Sequence, residues 1–137
     1  MSRGLIVAPH LLRAVDGWVR SEWMWNPADP LAVWLRMAPG DGAVRCWALA
    51  ADLLAAGLVA APQRPAGIGD VTLHTEPAGA GGRLVIDLTN GSGTVRFWAD
   101  RRTADGFHRQ VDAAPDRKAT LARQMDAAVT WCLGGAQ

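Results

Sequence analysis

Alternating apolar and polar residues predict that much of this chain is β-strand. Residues 31–37 show the pattern most clearly, because apolar side chains occupy every second position, at Leu31, Val33, Leu35 and Met37. A period of two residues is typical of a strand with one buried face. Runs of this kind, with the turn residues between them, predict seven strands, at residues 4–15, 18–26, 31–37, 43–49, 70–76, 83–89 and 94–99.

Turn residues separate most of these strands by only a few positions. The predicted hairpin turns are Asp16-Gly17, PGDG (39–42), AGAGG (78–82) and NGSG (90–93). Pro27 and Pro30 interrupt the chain between the second and third strands, since proline cannot donate to a sheet ladder. We interpret Asp29 as the side chain that holds this break, by bonding nearby backbone amides. Strands joined by such tight turns predict antiparallel sheet.

One helix is predicted between the fourth and fifth strands, at residues 49–58. Its sequence, LAADLLAAGL, consists mainly of alanine and leucine, which are strong helix formers. Asp52 lies in the first turn, where a carboxylate caps a helix or stabilises its dipole. Gly57 is predicted to end the helix in the left-handed conformation. The buried stripe is predicted at Leu53, Leu54 and Leu58.

Two further helices are predicted in the last third of the chain. Asp100 or Thr103 can cap the first of them, and Pro115-Asp116 opens the second. Apolar residues recur every fourth position in the second helix, at Leu121, Met125, Val129 and Leu133. Its outer side is predicted to carry Arg117, Lys118, Arg123 and Asp126. These elements predict a single α+β domain over residues 1–137, with antiparallel sheets, one central helix and two C-terminal helices.

Composition and charge limit the classes of function. The formal net charge of +1 gives no preference for nucleic acid or an anionic membrane. Cys46 and Cys132 form no CxxC motif and are predicted to be buried, reduced thiols. The chain shows no secretory leader and no apolar run of about 18 residues, so we expect a cytoplasmic protein without a transmembrane segment.

Residues that could carry catalysis are scattered along the chain. It has no HExxH, GxSxG or P-loop motif. We interpret His10 and His74 as strand residues at the surface or partly buried, and His108 as a solvated helix residue. No cluster of side chains has zinc or calcium spacing. We therefore expect a protein that is not an enzyme and uses neither metal nor cofactor.

Several of the seven tryptophans lie beside arginines. Trp34 shares a strand face with Arg36, and Trp98 shares one with Arg96. Single-strand nucleic-acid binders combine aromatic platforms with basic grooves, so that class is an alternative. Tryptophan is also enriched where proteins meet, and 13 acidic residues nearly cancel the basic ones. We therefore favour a partner or subunit interface at Trp34, Arg36 and Trp98.

Strand parity divides the tryptophans into two groups. Trp23 and Trp25 share one strand face and are interpreted as core residues. Trp34 lies on the opposite parity to its apolar neighbours and is predicted to be exposed. Leu53 and Leu54 are interpreted first as core, with an oligomer contact as their alternative role.

Three runs of the sequence match motifs of one known family in order and spacing. They are WNPADPLAV (25–33), WALAADLLAAGL (47–58) and RPAGIGDV (64–71). Together they resemble the SsgA-like family, the sporulation and cell-division proteins of filamentous actinomycetes. The resemblance covers residues 22–77 well and fades towards residue 112. Motif residues interpreted as mainly structural are Trp25, Asp29, Pro30, Trp47, Asp52, Gly57, Gly67, Gly69 and Asp70.

The resemblance implies a non-enzymatic adaptor of sporulation septation. Members of the family act in placing the division machinery, including the tubulin-like division GTPase, and in remodelling peptidoglycan. A Whirly-like fold, a homo-oligomer such as a trimer, cell-division proteins as partners and recruitment to division septa are implied as well. Gly67 and Gly69 are predicted to have positive φ. Arg117 and Lys118 depart from the family, whose members tend to be acidic there.

Overall fold

The structure is a computed structural model that describes residues 4–38, 42–115 and 117–123. Seven strands and two helices have defined bounds, and residues 117–123 are also helical. The strands are β1 (Ile6–Ala14), β2 (Gly17–Trp25), β3 (Ala32–Ala38), β4 (Arg45–Ala50), β5 (Val71–Glu76), β6 (Arg83–Asn90) and β7 (Gly93–Asp100). Helix α1 (Ala51–Gly57) follows β4, and helix α2 (Arg101–Asp112) follows β7.

All seven strands belong to one antiparallel sheet, in the order β4-β3-β2-β1-β7-β6-β5. Strands β1–β4 form one meander and β5–β7 another. The two meanders meet between β1 and β7, where Arg13 pairs with Trp98. The predicted α+β class is therefore confirmed.

The core lies on the inner face of this curled sheet, against α1 and α2. Trp23 and Trp25 are buried, which confirms their assignment from strand parity. The Trp23 ring stacks with Phe107 of α2 at 6.0 Å between centroids. It also stacks with the His10 ring at 5.6 Å. Because one aromatic side chain buries about 150–250 Å², the Trp23–Phe107 stack is a substantial contact between α2 and the sheet.

Asn26 stabilises the turn at the break between β2 and β3. Its Oδ1 accepts a hydrogen bond from the amide of Ala28 at 2.9 Å. The amide of Asp29 donates to the Asn26 carbonyl, also at 2.9 Å. The prediction that the Asp29 side chain holds the break is therefore wrong. Asn and Asp both form such turns, so the residue type alone did not decide between them.

The two helices begin differently. The residue before α1 is Ala50, and no side chain caps this helix, so the predicted cap at Asp52 is wrong. Asp52 does lie in the first turn, as predicted. Helix α2 is capped by Asp100, whose Oδ1 accepts from the Arg102 amide at 3.1 Å. Thr103 instead donates its hydroxyl to Asp100 at 3.2 Å, which settles the choice between the two predicted caps.

Gly57 serves close packing and not a left-handed turn. It is buried at the end of α1, and its φ is not positive. A Cβ placed there would lie 2.4 Å from the Cβ of Leu73 on β5, so the helix reaches the strand only without a side chain. The predicted left-handed role is wrong for Gly57. It is confirmed for Gly67 and Gly69, which both have φ of 96°.

Other expectations concern cysteine, histidine and the C-terminal helix. Cys46 is exposed, not buried, because it lies on β4 at the edge of the sheet. His74 is more buried than predicted, with 5% exposure. Cys132, Met125, Val129 and other residues predicted beyond position 123 lie outside the described residues. Within the described ranges, no helix is long and apolar enough to cross a membrane.

We predict that alanine at the two helical glycines changes stability in opposite directions. Gly57→Ala should lower the free energy of unfolding by about 1–3 kcal/mol, because the new methyl group overpacks the contact with Leu73. Gly106→Ala lies in open space on α2 and should raise it by about 0.5–1 kcal/mol through helix propensity. Urea denaturation followed by circular dichroism measures both. A Gly57→Ala variant as stable as the parent would contradict the packing role.

Candidate partner-binding surface

Arg117 lies in the protein interior and not on the outer side of the last helix, so its predicted position is wrong. Only 3% of the residue is exposed. Its Nη1 donates to the carbonyl of Pro30 at 3.3 Å, and its Nη2 donates to Oδ1 of Asp52 at 2.9 Å. Its Nε lies 3.8 Å from Oδ1 of Asp112, within ion-pair range but beyond hydrogen-bond range.

The Pro30 carbonyl is the point where three chain segments meet. It accepts from Nε1 of Trp25 at 3.0 Å as well as from Arg117. The next carbonyl, of Leu31, accepts from the amide of Ala51 at 2.9 Å and so joins the start of β3 to α1. We call Trp25, Pro30, Asp52 and Arg117 the Pro30 cluster. It gives Trp25, Pro30 and Asp52 one structural reason to occur together.

The two charged side chains of the Pro30 cluster differ in their exposure to solvent. The Asp52 side chain is 84% exposed and keeps its hydration, whereas the Arg117 side chain is 4% exposed. The desolvation cost therefore falls on the guanidinium, which is more weakly hydrated than an ammonium and presents several donors in a fixed plane. A buried arginine with a backbone acceptor fits a role in holding the helix against the β2–β3 break. It is not available to a partner.

We predict that Arg117 contributes more than Asp52 to the free energy of unfolding. Arg117→Ala should lower the free energy of unfolding by about 2–3 kcal/mol, because charged hydrogen bonds and stem packing are lost. Asp52→Asn should cost at most about 1 kcal/mol, because the pair is open to water at Asp52. Thermal or urea unfolding compares the two. Equal losses would mean that the ion pair, and not the buried contact with Pro30, is the stabilising part.

The side of the sheet opposite the core forms the second feature of interest, which we call the outer sheet face. Directly paired residues share a face, so the register defines its members. In β1, β2, β3 and β4 they are Val7, Pro9, Leu11, Arg13, Trp18, Arg20, Glu22, Met24, Ala32, Trp34, Arg36, Ala38, Cys46, Ala48 and Ala50. In β5, β6 and β7 they are Thr72, His74, Glu76, Arg83, Val85, Asp87, Thr89, Thr94, Arg96, Trp98 and Asp100.

Apolar side chains on the outer sheet face are open to solvent. Trp18 is 63% exposed and Leu11 54%. Between β1, β2 and β3 lies an open concavity of about 500 Å³. Its lining on this face consists of Pro9, Leu11, Arg20, Glu22, Arg36 and Ala38. Exposed aromatic and aliphatic groups beside arginine are typical of the centre of a protein–protein contact.

His10 and Ser21 lie beneath this concavity and join β1 to β2. In the tautomer with its proton on Nδ1, His10 donates to the Ala8 carbonyl at 3.3 Å. Its Nε2 then accepts from the Ser21 hydroxyl at 3.1 Å. Burial lowers the pKa of His10, opposed by the Ala8 hydrogen bond and the charge of Asp100. The imidazole is therefore held neutral as part of the wall beneath the outer sheet face.

We predict that His10 makes stability depend on pH in the weakly acidic range. Because its folded-state pKa is lowered, the unfolded chain binds the proton more readily, and the free energy of unfolding falls as pH drops below about 6.5. His10→Asn should remove part of that slope between pH 7.5 and 5.5. Urea titrations at several pH values measure it, with His108→Asn on α2 as a matched control. Equal slopes for the parent and His10→Asn would contradict the buried, neutral imidazole.

The predicted interface residues are not all brought together. Trp34 and Arg36 lie on the outer sheet face, and the predicted exposure of Trp34 is confirmed at 36%. Trp98 is on the same face but separated from β3 by β1 and β2, and it is half-buried beneath the Arg83 guanidinium. Leu53 is half-buried. Leu54 is 0% exposed, so its core assignment is confirmed, and the alternative role at an oligomer contact stays a prediction.

Two residues of the outer sheet face went unremarked in the sequence, Arg13 and Trp18. They pair directly across β1 and β2, and the Arg13 guanidinium lies 5.3 Å from the centre of the Trp18 ring. Parity within β2 was a usable signal, because Trp18 falls on the opposite face from the buried Trp23. The pairing of Arg13 with Trp98 had no sequence signal, since it depends on how two distant meanders meet.

The remaining motif residues make packing or backbone contacts within the fold. Trp47 pairs with Leu35 and packs half-buried against the core. A Cβ on Gly67 would lie 2.5 Å from the Val71 carbonyl, so that position excludes any side chain. The carbonyl of Asp70 accepts from the Thr89 amide at 2.8 Å.

Comparison with known proteins identifies the family of the chain and supports its α+β fold. The family described as "Streptomyces sporulation and cell division protein, SsgA" matches residues 19–119. The chain therefore belongs to the SsgA family, whose role is in sporulation-specific cell division.

A curated relative and two solved structures are similar to the chain. The Sporulation-specific cell division protein SsgB of Frankia casuarinae is 35% identical over 91 residues, which cover 66% of this chain and 60% of that protein. A structure concerned with SsgB mutations and longitudinal cell division in Streptomyces coelicolor sporulation has a TM-score of 0.74 and 27% identity, covering 85% of this chain and 92% of that one. An SsgA-like sporulation-specific cell division protein from Thermobifida fusca has a TM-score of 0.71 and 23% identity, with coverages of 95% and 96%, and supports the fold alone.

Proposed function

We propose that this chain is a non-enzymatic adaptor in sporulation-associated cell division. It helps to position or regulate the septation machinery through protein–protein contacts, and the outer sheet face makes the contact. Membership of the SsgA family supports the process. The observation that carries the mechanism is the solvent-exposed apolar surface around Leu11 and Trp18, beside an open concavity.

The outer sheet face has the chemistry of a contact surface. Trp18, Trp34 and Leu11 provide apolar area at 63%, 36% and 54% exposure. Arg36 forms an ion pair with Glu22 at 3.1 Å that lies across the concavity lining. Because a stable contact buries about 800 Å² on each partner, a surface that spans several strands is needed, and this face extends across the sheet.

Such an adaptor has protein partners and acts where septa form. The partners are proteins of the division machinery, with the tubulin-like GTPase and the peptidoglycan-remodelling enzymes as the candidate classes. The chain acts from the cytoplasm at division septa. It assembles into a homo-oligomer, for which we propose a trimer. The proposal assigns no reaction to the chain, since His10 is engaged by Ser21 and Ala8 in joining two strands.

We predict that capture of division proteins depends on the outer sheet face. The tagged chain should co-purify with septation proteins from cells that are forming sporulation septa, and Trp34→Ser should reduce their yield several-fold. The matched control is Val59→Ser, which removes a 79% exposed apolar side chain from the loop after α1 and should have no effect.

Each arm of this experiment has a distinct meaning. Absence of division proteins from the parent preparation, together with a diffuse fluorescent fusion during septation, would contradict the adaptor function. Equal yields from Trp34→Ser and Val59→Ser would keep the function but move the contact elsewhere. Light scattering coupled to size-exclusion chromatography measures the number of subunits separately.

A further inference from the structure

The arginines of the outer sheet face fall into two groups. Three of the five form ion pairs with carboxylates on the same face, and these pairs are Arg36–Glu22, Arg83–Glu76 and Arg96–Asp87. Arg13 and Arg20 have no carboxylate partner among the residues that the structure describes, and both are exposed. The other three arginines of the face are therefore neutralised by neighbouring carboxylates.

The two unpaired arginines are neighbours across β1 and β2. Leu11 pairs with Arg20, and Arg13 pairs with Trp18, so these four residues lie at the corners of a square. Arg13 and Arg20 occupy opposite corners. Such diagonal neighbours are about 7–8 Å apart. We call these four residues the Arg13–Arg20 block. The other diagonal holds Leu11 and Trp18, the two most exposed apolar side chains of the face.

The two cations lie differently with respect to the concavity. The Arg13 guanidinium lies over the Trp18 ring at 5.3 Å, a cation–π contact that limits the conformations of the long side chain. Arg20 borders the concavity of about 500 Å³, together with Pro9 and Ala38. One positive charge therefore lines the depression, and a second is held close to it.

We infer that the Arg13–Arg20 block is the docking site for an extended acidic segment of a partner protein. This inference rests on the proposed function, namely that the chain acts through protein contacts. In an extended segment, side chains two residues apart point the same way and lie about 6.6–6.8 Å apart, which matches the diagonal between the arginines. Acidic residues at positions i and i+2 meet Arg13 and Arg20, and an apolar residue at i+4 enters the concavity.

Charge complementarity favours an acidic peptide over a nucleic acid strand. A carboxylate meets a guanidinium with two parallel hydrogen bonds, and two unpaired guanidiniums suit two carboxylates. A nucleic acid carries a phosphate at every nucleotide, and nonspecific binding depends on neutralising many of them. Since Glu22, Glu76 and Asp87 lie on the same face, its other arginines are already neutralised.

The test measures binding of a defined peptide to the full chain. The probe is a fluorescent peptide with the core Asp-Ser-Asp-Ser-Leu, and the control peptide has Asn in place of both Asp residues. Fluorescence anisotropy at low salt should detect the first peptide and at least tenfold weaker binding of the second. Arg13→Gln and Arg20→Gln should each weaken binding about tenfold, the loss expected when one charged hydrogen-bonding group is removed.

A matched control separates this site from general positive charge. Arg64→Gln removes an exposed arginine from the connector between α1 and β5 and should leave binding unchanged. Thermal unfolding of all three variants verifies that they fold. Equal binding of the Asp and Asn peptides, or equal losses for Arg64→Gln and Arg13→Gln, would contradict the inference. Tighter binding of a poly-thymidine oligonucleotide through the same two arginines would identify nucleic acid as the ligand and would also contradict the inference.

Capture from septating cells distinguishes failure of this inference from failure of the proposed function. If the double variant Arg13→Gln/Arg20→Gln still captures division proteins as well as the parent does, the docking site is wrong and the adaptor function stands. If the parent captures no division proteins, the adaptor function is contradicted, whether or not the acidic peptide binds. Loss of capture in the double variant, with capture kept in Arg64→Gln, supports both.

Discussion

The contact between the Arg117 guanidinium and the Pro30 carbonyl is the constraint on which the arrangement of this chain depends. It joins a helix near the end of the described chain to a strand break 87 residues earlier. Trp25 donates to the same carbonyl, and Asp52 of α1 accepts from the same guanidinium. The Pro30 oxygen thus joins β2 to the last helix, and the Arg117 guanidinium joins that helix to α1. The helices then cover the inner face of the sheet, and the outer face stays exposed around Leu11, Trp18 and Trp34.

This division between two faces separates a packed core from an exposed apolar surface. On β2, Trp23 packs against α2, whereas Trp18 faces solvent on the other side. An exposed apolar face is a liability in a free protein, because it favours association. Ion pairs such as Arg36–Glu22 keep part of the outer sheet face hydrated and limit that risk. Arg13 and Arg20, which have no carboxylate partner within the described ranges, mark the region where we infer that a partner of opposite charge docks.

Strand parity made the fold and the two faces predictable, because alternation is a local property. It placed Trp23 and Trp25 in the core and Trp34 outside. Contacts between distant segments were not predictable. Arg117 fits an exposed helix position until its acceptor at Pro30 is known, and Gly57 suits either a left-handed end or a close contact until Leu73 is placed beside it. The Arg13–Arg20 block was missed because no local pattern distinguishes an unpaired arginine from a paired one.

Crosslinking in the cell shows whether the outer sheet face contacts the division machinery, as we propose. A photoreactive amino acid replaces Leu11 on this face or, as the control, Val59 in the loop after α1, and cells are irradiated during septation. We expect crosslinks to a division protein from position 11 and none from position 59. Crosslinks to division proteins from position 59 alone would contradict the proposal.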